Sequence, residues 1–564
     1  MLRGNRGSAR WCFGVPRERV GVFSGSSFYP GTWGLGLIGS RDVADIDDMV
    51  ETILRIGRGV PDAALVESFV RGIPEAIAEL EAMDISLKRP ANPDEPQYIP
   101  CFDHSPRMWR GLERDSMKRG FEQALCEGGI VRFDGCELLD IAMDDGRVRG
   151  ALFFDHSAKR FRAVSCGAIV LAGGGVAGLY KRSLSALGNS ATVQALAARC
   201  GARLVNLEFM QIMPGLVSPR HGIVFNEKAF RFAHAWDASG EPIARDVLET
   251  RSEHGPFSCE RAGAPLDFAM EACGDEGMEI ACDVGDESPE FVRTFSEWLE
   301  RECGVSASAP ARIAPYAHAS NGGIAIDEHG ACGVPGLFAA GECTGGMHGA
   351  DRIGGLASAN ALVFGRRAGV VAAKFASRNE FCDAHSAAGF CFSLGIESVS
   401  FEIEERACSS SSAILRELRE TMSAHCMISR DAEGLKAAAS AISALQARIE
   451  EPASASGLAS AAVATVTPAS MTAPSFTAAL KPEPVLGSAP ATAPALKPEP
   501  TLGSVLSLVS EHAAMAELTS SSDAASIAAT MRIRLQLETA SAAVAAMLAR
   551  KESCGSHYRS DAVQ

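Results

Sequence analysis

The sequence predicts an α/β fold. Two short apolar runs, one ending at Leu171 and the other at Ala340, are each followed closely by glycine. A buried parallel strand that breaks into a glycine turn is the arrangement by which such sheets present backbone N–H groups to a dinucleotide. Stretches with apolar residues at helical spacing predict the helices that cover such a sheet. The core is therefore predicted to contain a parallel sheet covered by helices.

The amino-terminal segment is predicted to begin without regular structure. Residues 1–19 are basic and irregular in pattern, and Val20–Phe23 is predicted as a short strand. Residues 25–34 are rich in glycine and serine and predict a loop. Between residues 40 and 90 apolar residues recur twice at helical spacing, so two helices are expected there.

The middle of the chain contains the first glycine turn. The apolar stretch Gly167–Leu171 predicts a strand, and Ala172-Gly173-Gly174 begins the turn that follows it. Considered alone, this pattern fits an ordinary strand-to-helix turn equally well.

A histidine and an arginine stand among closely spaced glycines further on. His318 precedes one Gly-Gly pair, and Arg352 precedes another. Between them, Val334–Ala340 predicts a buried strand that ends at Gly341-Glu342. Imidazole and guanidinium groups are donors that suit a carboxylate beside a cofactor. The alternatives are a satisfied core histidine and a solvated or helix-capping arginine, and His348 has a weaker case because it also suits loop packing.

These motifs resemble those of the fumarate reductase, succinate dehydrogenase and L-aspartate oxidase flavoproteins. The order His-x-x-x-Gly-Gly, Ala-Gly-Glu and His-Gly-Ala-x-Arg-x-Gly-Gly carries the resemblance, together with a Glu-Phe-x-Gln-x-x-Pro segment at Glu208–Pro214. The ending Glu552–Asp561 also resembles the family's tail, with Cys554 in place of an arginine. The resemblance implies a Rossmann-like FAD-binding domain interrupted by an α+β capping domain, with a C-terminal helical module.

The resemblance also assigns roles to individual residues. His318 and Arg352 would bind a substrate carboxylate, and Glu227 would orient the substrate or a relay. Arg251 or Arg261 would handle the proton, with His254, Glu253 or Glu260 as relay, because a guanidinium normally stays charged and needs an immediate proton partner. The residues expected to contact FAD are Ser26, Ser27, Gly34, Ala172, Gly173, Gly174, Glu342, Ala357 and Ser358.

The chain departs from the family pattern at several positions. Met213 stands where the family has a substrate-binding histidine, and Asn226 stands where it has a threonine. A thioether is only a weak acceptor, so a more apolar pocket is expected and a C4 dicarboxylate is not a safe assumption. The neighbourhood Ser27–Tyr29 lacks the histidine that binds FAD covalently in the succinate dehydrogenase branch, so non-covalent FAD is expected.

The Gly-x-Gly-x-x-Gly turn that binds the FAD pyrophosphate in this family is missing from the beginning of the sequence. We therefore expect an N-terminal truncation, by gene decay or an incorrect start site. On this hypothesis the chain as written holds FAD poorly, and an inactive remnant is an alternative to an enzyme.

The predicted domain organisation follows the same comparison. The first part of the FAD-binding domain is expected at residues 1–207, the capping domain at 208–315 and the second part of the FAD-binding domain at 316–378. A helical module is expected at 400–450, and a last helix and tail at 510–564. Residues 451–509 are rich in Ala, Pro, Ser and Thr and contain a repeated segment, so a disordered insertion is expected there.

Composition limits the function classes. The chain has 564 residues, 47% of them apolar, and a formal charge of −16, which argues against nucleic-acid binding. No apolar run is long enough to span a membrane, and the amino-terminal residues lack the apolar core of a signal peptide. A cytoplasmic location is therefore expected. The 17 cysteines are scattered without a Cys-x-x-Cys pair, so no metal site is expected.

The predicted activity is hydride exchange between FAD and a carboxylate-bearing substrate, as in fumarate reductase. An L-aspartate oxidase-like oxidation of an amino acid is the alternative within the family. A third possibility is a flavoprotein that docks to an electron-transfer partner.

Overall fold

The computed structural model describes residues 10–13, 23–29, 35–90, 102–186, 188–253, 255–285, 288–306, 308–378, 406–450 and 521–562. Several sequence predictions lie outside these residues. They are the predicted strand Val20–Phe23 apart from its last residue, the FAD contact at Gly34, the relay at His254, the insertion at 451–509 and residues 510–520 of the last predicted segment.

The α-helices are numbered in chain order. They are α1 Ile46–Ile56, α2 Ala63–Ala82, α3 Arg114–Glu127, α4 Val193–Arg199, α5 Arg245–Ser252, α6 Ala264–Ala272, α7 Glu290–Cys303, α8 Leu356–Arg378, α9 Arg406–His425, α10 Ala432–Glu450 and α11 Ser521–Ala549.

The strands are numbered in the same way. They are β1 Arg10–Phe13, β2 Gly36–Gly39, β3 Leu87–Lys88, β4 Met108–Leu112, β5 Ile130–Phe133, β6 Cys136–Asp144, β7 Arg147–Asp155, β8 Arg160–Ser165, β9 Ile169–Leu171, β10 Leu204–Val205, β11 Met210–Ser218, β12 Ile223–Val224, β13 Ala233–Trp236, β14 Met278–Cys282, β15 Ala311–Ser320, β16 Gly323–Ala325, β17 Leu337–Ala339, β18 Thr344–Gly345, β19 Ser429–Arg430 and β20 Tyr558–Arg559.

The two helices predicted before residue 90 are α1 and α2. Helix α2 begins where the Asp62 side chain accepts a hydrogen bond from the Leu65 N–H at 3.0 Å, which satisfies one donor of the first turn. Its apolar face packs with α1 and α8 in one core. This layer lies beside the glycine turns, because α8 also packs against β9 and β17.

One prediction for the amino-terminal segment is wrong. Residues 10–13, expected to be irregular, form β1, which pairs in parallel with β5. The sequence there is Arg-Trp-Cys-Phe, and aromatic residues favour strands.

The region from Met210 to Ser320 forms a five-stranded sheet in the order β12-β11-β15-β14-β13. The two central strands, β11 and β15, are antiparallel, and β15 ends beside the glycine turns where β11 begins. Helices α5, α6 and α7 lie between β13 and β15 in the chain, and their apolar residues share a core with the sheet. We call this region the cap.

The carboxyl-terminal helices α9, α10 and α11 pack against one another, and α11 also packs against α4 and the strand β8. The tail then returns to them, because β20 pairs in parallel with β19. His557 fixes this return: its Nδ1 atom accepts a hydrogen bond from Arg430 at 2.7 Å, and its Nε2 lies 3.1 Å from the Arg550 carbonyl oxygen. The mixed helix and sheet architecture confirms the predicted α/β fold.

Candidate functional site

The two glycine turns lie side by side. Strand β17 pairs in parallel with β9, and the Ala340 N–H donates to the Leu171 carbonyl oxygen at 2.9 Å. Because the strands are parallel, their carboxyl ends meet at one edge, and both turns begin there. Apolar β17 is fully buried, as its sequence predicts.

Glu342 and Ser320 join these turns to the end of β15. The Ser320 N–H donates to Glu342 Oε1 at 3.0 Å, while Ser320 Oγ accepts a hydrogen bond from the Val176 N–H at 2.8 Å. A Cβ atom on Gly175 would overlap both the Glu342 carboxylate and Ser320 Oγ. Glycine at this position therefore lets the turn approach the carboxylate closely.

Glu342 has a perturbed pKa. Burial raises the pKa of its carboxyl group, while the Ser320 N–H and the positive charge of Arg352 oppose that rise. The first turn of α8 lies close by, because Asn360 Nδ2 donates to the Gly341 carbonyl oxygen at 3.2 Å. Ala357 and Ser358, both predicted FAD contacts, stand in that turn, where backbone N–H groups have no partner within the helix.

Buried polar atoms around the first turn fit a bound dinucleotide. Gln194 Nε2 donates to the Gly174 carbonyl oxygen at 3.0 Å, but Gln194 Oε1 has no hydrogen-bond partner. Both polar side-chain atoms of Asn189 are buried without partners, and a Cβ atom on Gly174 would lie 3.2 Å from the Asn189 amide. Such atoms cost free energy unless a ligand or water pairs with them. The residues present therefore fit FAD.

The predicted loop of residues 25–34 carries two of the expected FAD contacts, Ser26 and Ser27. Ser26 Oγ accepts a hydrogen bond from the Ala186 N–H at 3.3 Å, and the Ser27 carbonyl oxygen accepts one from Arg114 Nε at 3.3 Å. Ala172 and Ser27 are exposed, whereas Gly173, Gly174 and Ser26 are partly buried.

His318 occupies an irregular position in β15. Gln211 pairs with Ala319 and Ile212 pairs with Ala317, so His318 is the extra residue of a β-bulge. A bulge bends the strand locally and re-aims the side chain. His318 Nδ1 is buried and has no hydrogen-bond partner.

Arg352 lies in the loop His348–Arg352, which we call the clamp loop. One guanidinium nitrogen donates to Gln211 Oε1 at 2.5 Å, and Gln211 Nε2 donates back to the Arg352 carbonyl oxygen at 2.8 Å. This reciprocal pair fixes the clamp loop to β11, opposite the bulge that holds His318.

Two imidazoles and one guanidinium are thus brought together. Burial, and then the nearby Arg352 charge, lower the pKa of His318 and of His348 to about 3. Both rings are therefore neutral at physiological pH, and Arg352 is the cation of the group. His348 is buried with its ring edge-to-face on Phe69, and its Nδ1 atom has no hydrogen-bond partner.

Met213 and Tyr316 belong to a buried apolar cluster on the same two strands. They pair across β11 and β15, and both are buried in one cluster with Val224 and Leu184. The structure thus places Met213 in apolar surroundings close to the bulge.

The two candidate arginines lie in different surroundings. Arg251 is fully buried and makes a bidentate ion pair with Asp267, with Nε to Oδ2 at 2.7 Å and Nη2 to Oδ1 at 3.1 Å. Its remaining nitrogen donates to the Gly255 carbonyl oxygen. Burial raises the pKa of Asp267, and the buried carboxylate of Glu227 adds to that rise. Glu227, Arg251 and Asp267 therefore form one cluster inside the cap.

Arg261 lies in a second loop, Ser258–Arg261, which we call the cap loop. Its guanidinium stands 5.3 Å from the Phe102 ring centroid, and its buried Nε atom has no hydrogen-bond partner. Burial lowers its pKa, the charge of Arg58 lowers it further, and the nearby Asp351 opposes this. Arg261 is therefore next to the clamp loop, whereas Arg251 is tied to the cap.

Sequence reasoning missed Ser320, Asn189 and Asp351. Ser320 and Asn189 carried no motif of their own, and only the folded chain shows their contacts with the glycine turns. Asp351 did carry a signal, since it stands directly before Arg352.

The fold and this site define an FAD-binding flavoprotein. Residues 21–357 match the family model of the FAD binding domain, which is more than half of the chain. Residues 505–564 match the model of the fumarate reductase flavoprotein C-terminal region. The chain belongs to the family of FAD-dependent oxidoreductases that includes fumarate reductase flavoproteins and L-aspartate oxidases.

Curated relatives agree with this assignment. The chain is 29% identical over 391 residues to one subunit of the fumarate reductase (CoM/CoB) of Methanothermobacter marburgensis, covering 63% of this chain and 67% of the relative. It is 26% identical over 373 residues to a fumarate reductase flavoprotein subunit of Mycobacterium tuberculosis, covering 61% and 62%. It is 28% identical over 375 residues to the L-aspartate oxidase of Xylella fastidiosa, covering 63% and 69%. The matched part thus spans about two thirds of these relatives.

Solved structures support the fold. The chain superposes on a quinol fumarate reductase chain of E. coli with a TM-score of 0.66, 20% identity and coverage of 94% of this chain and 84% of that one. It superposes on the Mycobacterium smegmatis Sdh1 complex with a TM-score of 0.64, 21% identity and coverage of 94% and 82%. Among the described residues, no helix is long and apolar enough to cross a membrane.

Proposed function

We propose that this flavoprotein exchanges hydride with a carboxylate-bearing substrate, in the manner of a fumarate reductase. The observation that carries the proposal is the group formed by Arg352, His318 and His348, which lies beside Glu342 at the edge where the glycine turns meet. A cation with two neutral imidazoles is suited to a carboxylate, and both imidazoles have an unpartnered Nδ1.

Different residues of the chain would bind the substrate, exclude water and hold FAD. Arg352, held by Gln211, would bind the carboxylate, and His318 would donate a further hydrogen bond from the bulge. Met213 and Tyr316 would exclude water from the rest of the substrate. Glu342, Ser26 and the first turn of α8 would hold FAD without a covalent bond. When bound, FAD supplies the group that accepts or donates hydride.

Proton transfer would fall to one of two arginines. Arg251 has a carboxylate in direct contact, Asp267, with Glu227 nearby, which is the immediate partner that a guanidinium acid requires. Arg261 has an unpartnered Nε and lies nearer the clamp loop. The variants R251K and R261K distinguish the two. The variant that replaces the proton donor is expected to lose most of kcat, whereas the other variant should keep it.

The test is a screen with the full chain supplied with FAD. Fumarate, longer enoates and L-aspartate are offered, with a reduced dye for the enoates and oxygen for the amino acid. Turnover of an enoate that falls by about tenfold or more in R352K supports the proposal. Oxidation of L-aspartate instead supports the amino-acid oxidase alternative, which the aspartate oxidase relative favours. FAD binding without turnover of any carboxylate contradicts both.

An electron-transfer partner is also proposed. The fold neighbour from E. coli is described as a quinol fumarate reductase, and the Mycobacterium smegmatis neighbour as a complex. Copurification of the full chain with an iron–sulfur or cytochrome protein would support such a partner, whereas rapid turnover with soluble flavin as the electron donor would argue for an independent enzyme.

A further inference from the structure

Asp351 lies where three parts of the chain meet. Its carboxylate accepts a hydrogen bond from Ser258 Oγ of the cap loop at 2.7 Å, and it lies 3.8 Å from Arg58 Nε, just beyond α1. A Cβ atom on Gly555 of the tail would lie 2.9 Å from it. The side chain is almost wholly buried. No step of the proposed reaction uses this group.

Its neighbour Ala350 is held just as tightly. The Ala350 N–H donates to the Gly57 carbonyl oxygen at 3.2 Å, and the Ala350 carbonyl oxygen accepts from Ser556 Oγ at 2.8 Å and Asn321 Nδ2 at 3.2 Å. The clamp loop is therefore hydrogen-bonded to the segment after α1 through the Ala350 N–H, and to the tail and the end of β15 through the Ala350 carbonyl oxygen. Asp351 is the position at which it is tied to the cap loop.

The cap loop is fastened at the same junction. The Cys259 N–H donates to the Gly555 carbonyl oxygen at 2.9 Å, and Glu260 makes an ion pair with Arg58 at 2.7 Å. Cap loop, clamp loop and tail are thus joined around one buried carboxyl group.

We propose that Asp351 is a positioning residue that ties the cap loop to the clamp loop, and that the tie holds when Asp351 is protonated and loosens when it ionises. The link to catalysis depends on the proposed carboxylate site. The tie itself does not.

The direction of the pH dependence follows from the burial of Asp351. Burial raises the pKa of Asp351 to about 7, although the Ser258 hydroxyl and two arginines oppose the rise. Opening the junction would expose the carboxyl group to water and return it to its ordinary pKa near 3.8, so the open state binds fewer protons. Higher pH therefore favours opening. The other charged or titratable groups that face Asp351 are Arg58, Cys259, Glu260, Arg261 and Cys554.

Hydrogen-exchange mass spectrometry on the full chain tests the tie without any assay of activity. The readout is protection of the peptide that covers Ser258–Arg261, relative to the exchange rate of an unfolded peptide at the same pH. In the unmodified protein, protection is expected to fall more than about tenfold between about pH 5.5 and pH 7.5. In D351N, which mimics the protonated form, protection should be high and independent of pH.

Two further variants complete the test. S258A removes the hydrogen bond but keeps the carboxyl group, so protection should fall about tenfold at low pH while its pH dependence persists. D140N is the matched control. Asp140 is also buried, with a pKa raised to about 6, but it lies in β6, so D140N should behave as the unmodified protein does.

Three results would overturn the inference. They are pH-independent protection in the unmodified protein, an unchanged pH dependence in D351N, and a loss of that dependence in D140N. If the exchange results hold but no carboxylate binds, the tie stands and the proposed function fails, so the two failures are distinguishable.

Discussion

Gly175 and Glu342 meet so closely that a methyl group on Gly175 would overlap the Glu342 carboxylate. The two residues come from the turns that follow neighbouring parallel strands. Since Glu342 is expected to bind FAD, its position depends on a residue with no side chain at all.

The first prediction follows from that contact. G175A should displace the Glu342 carboxylate and weaken FAD binding by about tenfold or more, the effect of losing one hydrogen bond to a charged group. Fluorescence titration of FAD measures the change. G365A is the control, because a Cβ atom on Gly365 meets no atom within 4 Å. Equal affinities in G175A and G365A would contradict the assignment of Glu342.

The second prediction concerns Arg352. In R352K the planar fork that engages Gln211 and a carboxylate is lost, so malonate, used as a probe, should bind roughly 10- to 100-fold more weakly. Calorimetric titration measures this. The exposed Arg301 provides the control R301K, which should leave the affinity unchanged. If R352K has only a small effect on malonate affinity, Arg352 does not bind the carboxylate.

The third prediction concerns His318. Its pKa is about 3 in the folded protein, below its ordinary value of 6.5, so the unfolded state binds more protons between these values. Stability should therefore fall as pH drops below about 6.5, and H318Q should lose less stability over the same range. Urea unfolding at about pH 7 and pH 5 compares the two proteins. A parallel loss in both would show that His318 is not buried in its neutral form.

The fourth prediction concerns the contribution of Asp351 to the free energy of unfolding of the whole protein. Its folded pKa, about 7, lies above its ordinary value of 3.8, so this group's contribution to stability is lost as pH rises from about 4 to 7. At about 1.4 kcal/mol per pH unit, the loss is at most ~4 kcal/mol. The variant D351N should not show this loss of stability. The check is the difference in unfolding free energy between D351N and the unmodified protein at the two ends of this range.

The fifth prediction concerns the pair of Arg251 and Asp267. D267A leaves a buried guanidinium without its carboxylate, which costs about 3–5 kcal/mol of stability. E249A removes the exposed partner of Arg245 and should cost less than about 1 kcal/mol. Denaturant unfolding measures both. A similar cost for the two variants would mean that the buried pair contributes no more than a surface pair.

Much of the fold could be predicted from local sequence. Apolar runs that end in glycine determine where β9 and β17 stop, and apolar spacing predicts α1 and α2 even though Pro74 lies inside α2. These features depend on residues close together in the chain. β1 was not predicted, because four residues give too short a pattern and its pairing partner β5 is distant.

The site was predictable only in part. The motifs mark Glu342, His318 and Arg352, and the structure brings all three together. The two candidate arginines have different partners, since Arg251 is bound to Asp267 and Arg261 lies near Asp351. The neutral state of both histidines and the role of Ser320 result from burial and from contacts between distant segments, which no local pattern contains.

The bulge at His318 separates the pairing of the sheet from this side chain. Because His318 is an inserted residue in an otherwise regular pairing of β11 and β15 at this point, deleting that one residue would restore a continuous ladder there. The ladder therefore does not use His318, and a change at this position can alter the side chain presented to the site while the strands on either side keep their partners.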